Sequence, residues 1–387
     1  MSHFTPFDPS KTLQSYFLMI IHLIAAARPN FMKIAPLYHA LKRETWATPL
    51  IVHTGQHYDS NMSAVFFNDL GLPIPDFHLG VGSGTHAVQT AQVMIEYEKI
   101  IIANPPDLIV VVGDVNSTMA AAIVASKLGI KVAHLEAGLR SFDRSMPEEI
   151  NRVVTDALAD LLWTPSPDAD DILIHEGIPE RKICRVGNIM MDSLELLRDR
   201  IQDMFVYKEE FGFQPGGYGV VTLHRPSNVD GRESLHQICR VLGEIAKAIP
   251  LIFSLHPRTK RNLEKNGLLP GLAKTVNIFL IEPQTYIRFM NLIFNSRLVI
   301  TDSGGLQEET TYLGIPCLTL RPNTERPITV LQGTNQLCRF SDIEDRVHEI
   351  LDGKFKRHSI PEFWDGKTAS RVVDSIRFNF GINSSCA

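Results

Sequence analysis

The sequence predicts an α/β protein with two doubly wound domains that face a cleft. The chain has 387 residues, more than one hydrophobic core usually supports, and 44% of them are hydrophobic while 21% are charged. Short apolar runs bounded by turn residues alternate with longer helical patterns, which is typical of parallel sheets covered by helices on both faces. This alternation is interrupted by a polar, glycine-rich stretch at 208–219 and then resumes, which indicates the second domain.

The first predicted strand lies in the apolar run "YFLMIIHLIAAA", which follows Lys11 and loosely imitates a signal peptide. The run is too short to span a bilayer, and it leads directly into a helix-opening sequence with Pro29 near its start. We therefore expect a buried strand and no membrane partner. The predicted strands are 16–25, 50–54, 108–112, 131–135 and 161–164 in the first half, and 219–223, 251–255, 277–281, 297–301 and 316–320 in the second.

Charge and cysteine content narrow the class of protein. A formal net charge of −5 provides no basic surface for nucleic acid, so a few placed cations must hold any anionic ligand. The five cysteines are widely spread and lack a C-x-x-C spacing, which argues against a disulfide framework and against a zinc site. We expect reduced thiols in a cytoplasmic protein.

Polar side chains follow most of the predicted strands. Ligands of open α/β sheets bind outside the carboxyl ends of the strands, so these positions are candidates for a binding site. A chain that needed only turns would more often place Gly, Asn or Pro there. The residues at these positions are Arg28, His57, Asp114 and Glu136 in the first half, and His224, His256, Asp302, Ser303 and Arg326 in the second.

The segment "VITDSGGLQEET" at 299–310 predicts a strand, a glycine turn and a helix. Gly304 and Gly305 allow a phosphate to approach the backbone, where unpaired N–H groups and the helix dipole favour its negative charge. Glu309, one turn into the helix, is suited to accept hydrogen bonds from a ribose diol. An ordinary strand-to-helix turn with acidic capping explains the segment about equally well. The segment matches neither the ATP nor the dinucleotide phosphate loop, so those cofactors lose support.

Two carboxylates follow adjacent predicted strands, and each has an alternative explanation. Asp114 either caps the alanine-lined helix after "LIVVVGD" or points into the cleft; we favour the cleft, because Asn116 and Ser117 already offer capping oxygens. Glu136 either faces a ligand or pairs with Arg140.

Several cations are placed to bind a diphosphate. Arg28 and Lys33 flank the start of the first helix, and Arg326 in "NTERP" is a third candidate. His224 is either a satisfied core histidine or, beside Arg225, part of a charged-ligand site.

Taken together, the ordered motifs resemble the non-hydrolysing UDP-N-acetylglucosamine 2-epimerases from about residue 20 to 368. They are "RPNFMKIAPL", "TGQHYD", "GDVNST", "HLEAGLRSFDRSMPEEINR", "VGNIMMDSL", "VTLHRPSNVD", "DSGGLQEET" and "NTERP". The resemblance implies a glycosyltransferase-B-like fold of two Rossmann-like domains and the reversible conversion of UDP-GlcNAc to UDP-ManNAc without metal or redox cofactor. We expect domains at 1–190 and 191–369, a C-terminal helix within 370–387 that packs back on the first domain, and a homodimer.

The resemblance also implies roles for individual residues. Asp114, Glu136, Glu148 and His224 match the family's essential carboxylates and histidine, and the backbone near Phe289 is expected under the uracil. The remaining nucleotide-sugar contacts would be Arg28, Lys33, Arg152, Ser303, Gly304, Gly305, Glu309 and Arg326.

The sequence departs from the family where a second, allosteric UDP-GlcNAc site is expected. The family has a Gln-His segment with a second Gln three positions on, whereas Asp59 stands there in this chain. The motif therefore does not support allosteric activation by substrate. The candidate second-site residues are Gln56, His57, Arg225 and His256.

Two other functions share much of this pattern. A 2-epimerase of a related sugar nucleotide, such as a UDP-diacetamido uronic acid, would keep these motifs and add one cation near C6. A glycosyltransferase with the same fold would share the glycine-rich phosphate turn, but would consume its donor only with an acceptor.

Overall fold

The structure is a computed structural model that describes residues 18–55 and 67–382. Its described part contains two parallel sheets, in the strand orders β3-β2-β1-β4-β5-β6-β7 and β10-β9-β8-β11-β12-β13. The predicted α/β fold with two doubly wound sheets is confirmed. The strands are β1 Met19–Ala25, β2 Ala47–His53, β3 Phe77–His78, β4 Leu108–Val112, β5 Lys131–Leu135, β6 Leu161–Thr164, β7 Ile183–Arg185, β8 Gly219–Thr222, β9 Leu251–Ser254, β10 Ile278–Ile281, β11 Leu298–Thr301, β12 Cys317–Thr319 and β13 Asn335–Leu337.

Helices connect the parallel strands and cover both faces of each sheet, as crossover connections require. They are α1 Arg28–Lys42, α2 His86–Ala103, α3 Asn116–Lys127, α4 Pro147–Leu158, α5 Pro167–His175, α6 Ile189–Gln202, α7 Val206–Glu209, α8 Pro226–Val229, α9 Arg232–Ile245, α10 Pro257–Lys265, α11 Leu269–Ala273, α12 Tyr286–Phe294, α13 Gly304–Leu313, α14 Pro327–Leu331, α15 Ile343–Leu351 and α16 Thr368–Asn379.

All ten predicted strands are present, with ends that move by up to three residues. The sequence did not predict β3, β7 and β13, because strands of two or three residues are too short to show a hydrophobic period. The apolar run near the amino terminus forms β1, which is buried between β2 and β4. Within the described residues, no helix is long and apolar enough to cross a membrane.

The strand orders place a topological switch point in each sheet. In the first sheet β1 neighbours β4, and in the second β8 neighbours β11, so the chain leaves each pair toward opposite sides. A crevice opens outside the carboxyl ends of such a pair. The loops that border these crevices begin after Ala25, Val112, Thr222 and Thr301.

Helix α16 returns from the second sheet to the first. Ser375 on α16 accepts a hydrogen bond from Trp163 Nε1 at 2.9 Å, and Asp192 on α6 accepts from the backbone N–H groups of Thr368 and Ala369. A carboxylate in this position caps the helix and complements its dipole. The chain therefore passes between the two sheets twice, once between β7 and β8 and once between α15 and α16.

The described cysteines are free thiols. They are Cys184, Cys239, Cys317 and Cys338, while Cys386 lies outside the described residues.

Candidate active site

Glu136 directly follows β5 and lies on a strained backbone. Its φ of 74° falls in the left-handed region, which is unfavourable for a residue with a Cβ. The backbone N–H groups of Glu136 and Ala137 both donate to Trp163 O at 3.1 Å, which fixes this conformation. The carboxylate is buried and forms an ion pair with Lys33 on α1. Gly113 makes room for that pair, since a Cβ there would lie 3.1 Å from Lys33 Nζ.

The alternative pairing of Glu136 with Arg140 is wrong. The guanidinium of Arg140 instead forms ion pairs with Asp156 at 2.8 Å and with Glu176 at 2.7 Å. Glu136 Oε1 is buried and has no hydrogen-bond partner among the described residues. One oxygen of this carboxylate is thus neutralised by Lys33, while the other retains its capacity to accept a proton or a hydrogen bond.

Asp114 faces Arg152 rather than the start of α3. Asp114 Oδ2 lies 2.5 Å from Arg152 Nη1, and α3 begins after Val115 without a side-chain cap. The expectation that Asn116 and Ser117 cap this helix is wrong, because both lie inside it: Asn116 bonds to Asn151, and the Ser117 hydroxyl bonds to Thr54.

Arg152 is held in place by Glu149, one turn earlier on α4. Glu149 accepts from Arg152 Nη2 at 2.6 Å and also from the backbone N–H groups of Ser141 and Phe142. Burial opposes the charge of Glu149, but the hydrogen bond from Ser141 and the charge of Arg152 outweigh it and lower the pKa of this carboxyl. Glu148 is exposed and shares a face of α4 with Arg152, since residues four apart are neighbours on a helix.

His224 follows β8 and is oriented by Asp302, which follows β11. His224 Nδ1 lies 2.9 Å from Asp302 Oδ1, and the His224 and Arg225 backbone N–H groups and Asn228 Nδ2 also donate to this carboxylate. Burial would raise the pKa of Asp302, but these donors and the His224 charge lower it. Since the His224 side chain is 35% exposed, its Nε2 edge is left for a ligand.

Arg326 directly precedes α14, and its guanidinium lies beside the start of α13 between two carboxylates. Its Nε is 2.9 Å from Glu308 Oε1 and its Nη1 is 2.8 Å from Glu325 Oε1. Burial opposes the charge, but Glu308 and Glu325 outweigh it and raise the pKa of Arg326. Gly304 is required here, because a Cβ at this position would lie 2.9 Å from Arg326 Nη1. A guanidinium beside a helix N-terminus is suited to bind phosphate.

The two halves of the site share one charge cluster. Glu308 Oε1 accepts from Asn188 Nδ2 at 2.9 Å, which links α13 of the second sheet to the residue before α6. Burial raises the pKa of Glu308; the charge of Glu136 adds to this effect, and those of Arg326 and Lys33 oppose it. These influences require that the groups of the two sheets lie close together across the cleft. Glu308 Oε2, like Glu136 Oε1, is buried without a described hydrogen-bond partner.

The remaining predicted nucleotide contacts lie on α12 and α13. Ser303 precedes the first residue of α13, and Gly305 lies in the first turn of that helix with open space where a Cβ would stand. Glu309 is buried and accepts from the Tyr286 hydroxyl at 2.7 Å. Phe289 lies on α12, one turn from Tyr286, and its backbone N–H donates to Thr285 O.

Arg28 and the candidate second-site residues lie at the rim or beyond the described chain. Arg28 is exposed at the first position of α1. Arg225 Nη2 is 3.8 Å from Glu325, and the exposed His256 ring is centred 5.4 Å from that of His224, so both lie beside the main site. Gln56 and His57 fall outside the described residues.

Three carboxylates in the cluster had no predicted role: Glu149, Glu308 and Glu325. The spacing of Glu149 to Arg152 is a helical ion-pair signal that could have identified it. For Glu308 and Glu325 the only local signal is their proximity in sequence to Glu309 and Arg326. The partners of Glu308 are distant in sequence, whereas Glu325 pairs with the nearby Arg321 and Arg326.

The fold places the protein in the class of glycosyltransferase-B-like proteins, with two doubly wound domains around one cleft. A family model described as UDP-N-acetylglucosamine 2-epimerase matches residues 39–377. The chain is 43% identical over 370 residues to the UDP-N-acetylglucosamine 2-epimerase of Methanocaldococcus jannaschii, a match that covers 93% of this chain and 99% of that one. The crystal structure of the Methanocaldococcus jannaschii UDP-GlcNAc 2-epimerase in complex with UDP-GlcNAc and UDP matches with a TM-score of 0.83 at 42% identity, covering 93% of this chain and all of the other.

A second relative has a different named substrate. The chain is 40% identical over 364 residues to the UDP-2,3-diacetamido-2,3-dideoxy-D-glucuronate 2-epimerase of Pseudomonas aeruginosa, covering 92% of this chain and 99% of that one. The chain belongs to the UDP-N-acetylglucosamine 2-epimerase family, and the resemblance seen in the sequence is confirmed.

The buried Glu309 predicts a pH-dependent stability. Burial raises the pKa of Glu309 from 4.5 to about 7, although the hydrogen bond from Tyr286 opposes this. The folded state therefore binds the proton more tightly than the unfolded state, and the free energy of unfolding falls as the pH rises from about 4.5 to 7. Glutamine does not titrate, so this loss is absent in Glu309→Gln. The unfolding free energy of the variant minus that of wild type should therefore be about 2 kcal/mol larger at pH 8 than at pH 5.

Urea unfolding of the ligand-free protein at pH 5 and pH 8 measures this difference. Glu264→Gln, an exposed glutamate on α10, is the control and should show no such change. A constant difference between Glu309→Gln and wild type across this pH range would contradict the prediction.

Proposed function

We propose that the protein interconverts UDP-GlcNAc and UDP-ManNAc by anti elimination of UDP to 2-acetamidoglucal and re-addition of UDP. The observation that carries the proposal is the shared cluster of Lys33, Glu136, Glu308 and Arg326, in which cations and carboxylates from both sheets meet. A reaction that separates a diphosphate anion from a cationic sugar ring needs both kinds of charge in one place. The membership of the family supports the same reaction.

The chemistry explains why elimination must come first. The proton on C2 has no adjacent carbonyl and is not acidic, so direct removal would be too slow. Departure of UDP from C1 builds oxocarbenium character beside C2 and acidifies that proton. Loss of the proton gives the glucal, and protonation of C2 from the opposite face followed by return of UDP gives the epimer.

The cations are assigned to the leaving group. Lys33, Arg28 and Arg326 would bind the diphosphate, together with the α13 N-terminus at Ser303, Gly304 and Gly305. Glu309 would accept from the ribose diol, with the backbone near Phe289 under the uracil. An arriving diphosphate competes with Glu136 for Lys33, because Lys33 is shared between them. Binding of the substrate would thus release Glu136 as a base.

The carboxylates and the histidine are assigned to the sugar. Asp114, Glu136 and Glu148 would supply proton transfer on the two faces of C2 and stabilise the cationic ring. Arg152 is placed to hold Asp114. His224, which Asp302 orients, would donate or accept a proton beside the diphosphate.

Isotope incorporation tests the mechanism. In heavy water, UDP-ManNAc formed from UDP-GlcNAc should carry deuterium at C2, because the hydrogen leaves to one group and returns from another that has exchanged with solvent. Oxygen-18 placed in the bridge between C1 and phosphorus should move into non-bridging positions, because UDP is free within the site. NMR of the products of UDP-GlcNAc alone measures both.

Two results would overturn this route. Retained protium at C2 excludes it, and so does an unscrambled bridge, which is the pattern of transient oxidation at C3. Release of free ManNAc would show a hydrolysing enzyme, and no reaction without an acceptor would favour a glycosyltransferase. Turnover of only a diacetamido uronic acid substrate would show the related epimerase.

Substitution of the proposed acid and base groups separates chemistry from binding. Asp114→Asn, Glu136→Gln and Glu148→Gln should each lower kcat at least about 100-fold, the range expected for proton-transfer or charge-stabilising groups. UDP affinity should change less than about threefold in Asp114→Asn and Glu148→Gln, and it should not weaken in Glu136→Gln, because loss of that carboxylate frees Lys33 for the diphosphate. Steady-state kinetics and UDP calorimetry make the comparison. Asp143→Asn is the control and should retain turnover. Asp143 lies in the same 134–152 segment, and its side chain accepts hydrogen bonds from Ser145 alone among the described residues.

A near-normal kcat in any of the three variants removes that residue from the mechanism. Arg326→Ala should behave differently and weaken UDP binding as well as turnover. Unchanged UDP affinity in that variant would count against its assignment to the diphosphate.

We infer a homodimer from the exposed face of α2. Val88, Ile95 and Ile102 are large apolar side chains on this helix, all exposed and spaced seven residues apart, so they form one stripe. A stripe of this kind fits a second copy of the same helix. Light scattering on wild type should give twice the mass of the chain, and Ile95→Glu with Ile102→Glu should give a monomer.

Ile74→Glu provides the control for this experiment. Ile74 is exposed outside α2, so the variant should remain a dimer. A monomeric wild-type protein, or a dimer that survives both α2 exchanges, would contradict the assignment.

A cytoplasmic location is also proposed. The support comes from the cysteines, since the four that the structure describes are free thiols with no partner cysteine. Free thiols are usual in reducing compartments.

A further inference from the structure

We propose that buried His134 is a positioning residue. By donating hydrogen bonds from both ring nitrogens, it fixes the relative positions of the three chain segments that carry the proposed catalytic carboxylates. The proposal rests on the roles proposed for Asp114, Glu136 and Glu148. His134 itself lies on β5, is 0% exposed and cannot reach a bound sugar from there. His134 would therefore act through these carboxylates and not on the substrate itself.

The two partners of the ring are both acceptors. His134 Nε2 lies 2.9 Å from the carbonyl oxygen of Gly113, and Nδ1 lies 2.5 Å from Asp156 Oδ1. A carbonyl oxygen can only accept, so Nε2 must carry a proton. Asp156 Oδ2 is also 2.8 Å from Arg140 Nη2 and accepts from the Gly138 backbone N–H at 3.1 Å. Burial would raise the pKa of Asp156, but its donors and the charge of Arg140 lower it, which keeps the carboxylate ionised and accepting. Both ring nitrogens therefore donate, and the ring is an imidazolium.

Each partner ties the ring to an element that carries one of the carboxylates. Gly113 immediately precedes Asp114, and His134 itself lies two residues before Glu136. Asp156 is on α4, the helix that carries Glu148. The same Asp156 accepts from the Gly138 backbone N–H at 3.1 Å, which fixes the loop just after Glu136.

The loops that this pair joins are conformationally demanding. Gly113, Glu136 and Gly138 all have φ between 67° and 80°, and a non-glycine residue holds such a conformation only where its surroundings determine it. Gly138 also passes so close to α5 that a Cβ would lie 2.4 Å from the carbonyl oxygen of Ala169. The buried imidazolium and Asp156 supply fixed, charge-assisted hydrogen bonds at this point.

The charges of the network compensate one another inside the fold. His134 and Arg140 are its cations, and Asp156 and Glu176 are its anions, with Arg140 2.8 Å from Asp156 and 2.7 Å from Glu176. A buried imidazolium without such anions would be strongly unfavourable. Two of the proposed diphosphate cations, Lys33 and Arg326, have their described ion pairs with Glu136, Glu308 and Glu325 instead of with the anions of this network.

NMR of the wild-type protein tests the protonation directly. In protein labelled with ¹⁵N at histidine, long-range ¹H–¹⁵N correlation should show that both nitrogens of one ring carry protons at pH 8. These signals should vanish in His134→Gln and persist in His22→Asn, an exchange of another fully buried histidine in the same sheet. A His134 ring with a single protonated nitrogen would overturn the proposal. This measurement requires no substrate.

Kinetics test the positioning role. His134→Gln and Asp156→Asn should each lower kcat at least about tenfold, while KM for UDP-GlcNAc changes less than about threefold, because the diphosphate cations lie outside the network. His22 Nδ1 lies 3.2 Å from Tyr97 OH, its one hydrogen-bond partner among the described residues, so His22→Asn should lose stability but keep kcat. A loss of kcat in His134→Gln and Asp156→Asn no greater than that in His22→Asn would refute the positioning role.

The two proposals fail in different ways. If Asp114→Asn and Glu136→Gln keep their turnover, the proposed function of these carboxylates is wrong whatever His134 does. If those variants are inactive but His134→Gln is normal, only the positioning role is wrong.

Discussion

Burial of charge where the two sheets face each other is the constraint on which the rest of the site depends. An ionised group removed from water is stable only beside an opposite charge or a set of hydrogen bonds. Lys33 therefore forms an ion pair with Glu136. Arg152 pairs with Asp114 and Glu149, and Arg326 pairs with Glu308 and Glu325. Two of the proposed diphosphate cations, Lys33 and Arg326, already have anionic partners, so binding of an anion there becomes an exchange of partners.

This exchange orders the proposed reaction. In the proposed mechanism, Lys33 neutralises Glu136 until a diphosphate competes for the ammonium group. The proposed base and the leaving-group site would then be coupled through one lysine, and proton removal from C2 would be favoured only when UDP can depart. Glu136 and Glu308 each have one buried carboxylate oxygen without a described partner, and in the proposed site these oxygens would accept hydrogen bonds from the sugar.

The sequence was sufficient for the sheets and for most of the site's inventory. The apolar runs predicted every long strand, and the polar residues after β1, β4, β8 and β11 border the crevices at the switch points. Prediction from the sequence failed where the local pattern carries no information about structure. Edge strands such as β7 contain too few residues to show a period, and Asn116 could not be told from a cap because its partner Asn151 lies on another helix.

The sequence by itself determined which chemical groups are present and at which strand ends they stand, because strand and helix periods are local properties of the chain. Only the tertiary structure decided how these groups pair. Glu136 pairs with Lys33, which is 103 residues away in sequence. It does not pair with Arg140, which is four residues away, because Arg140 forms ion pairs with Asp156 and Glu176. Such a choice depends on the order of β1, β4, β5 and β6 in one sheet and on the register of each with its neighbour. Contacts between strands far apart in sequence set that order, and no local pattern encodes them.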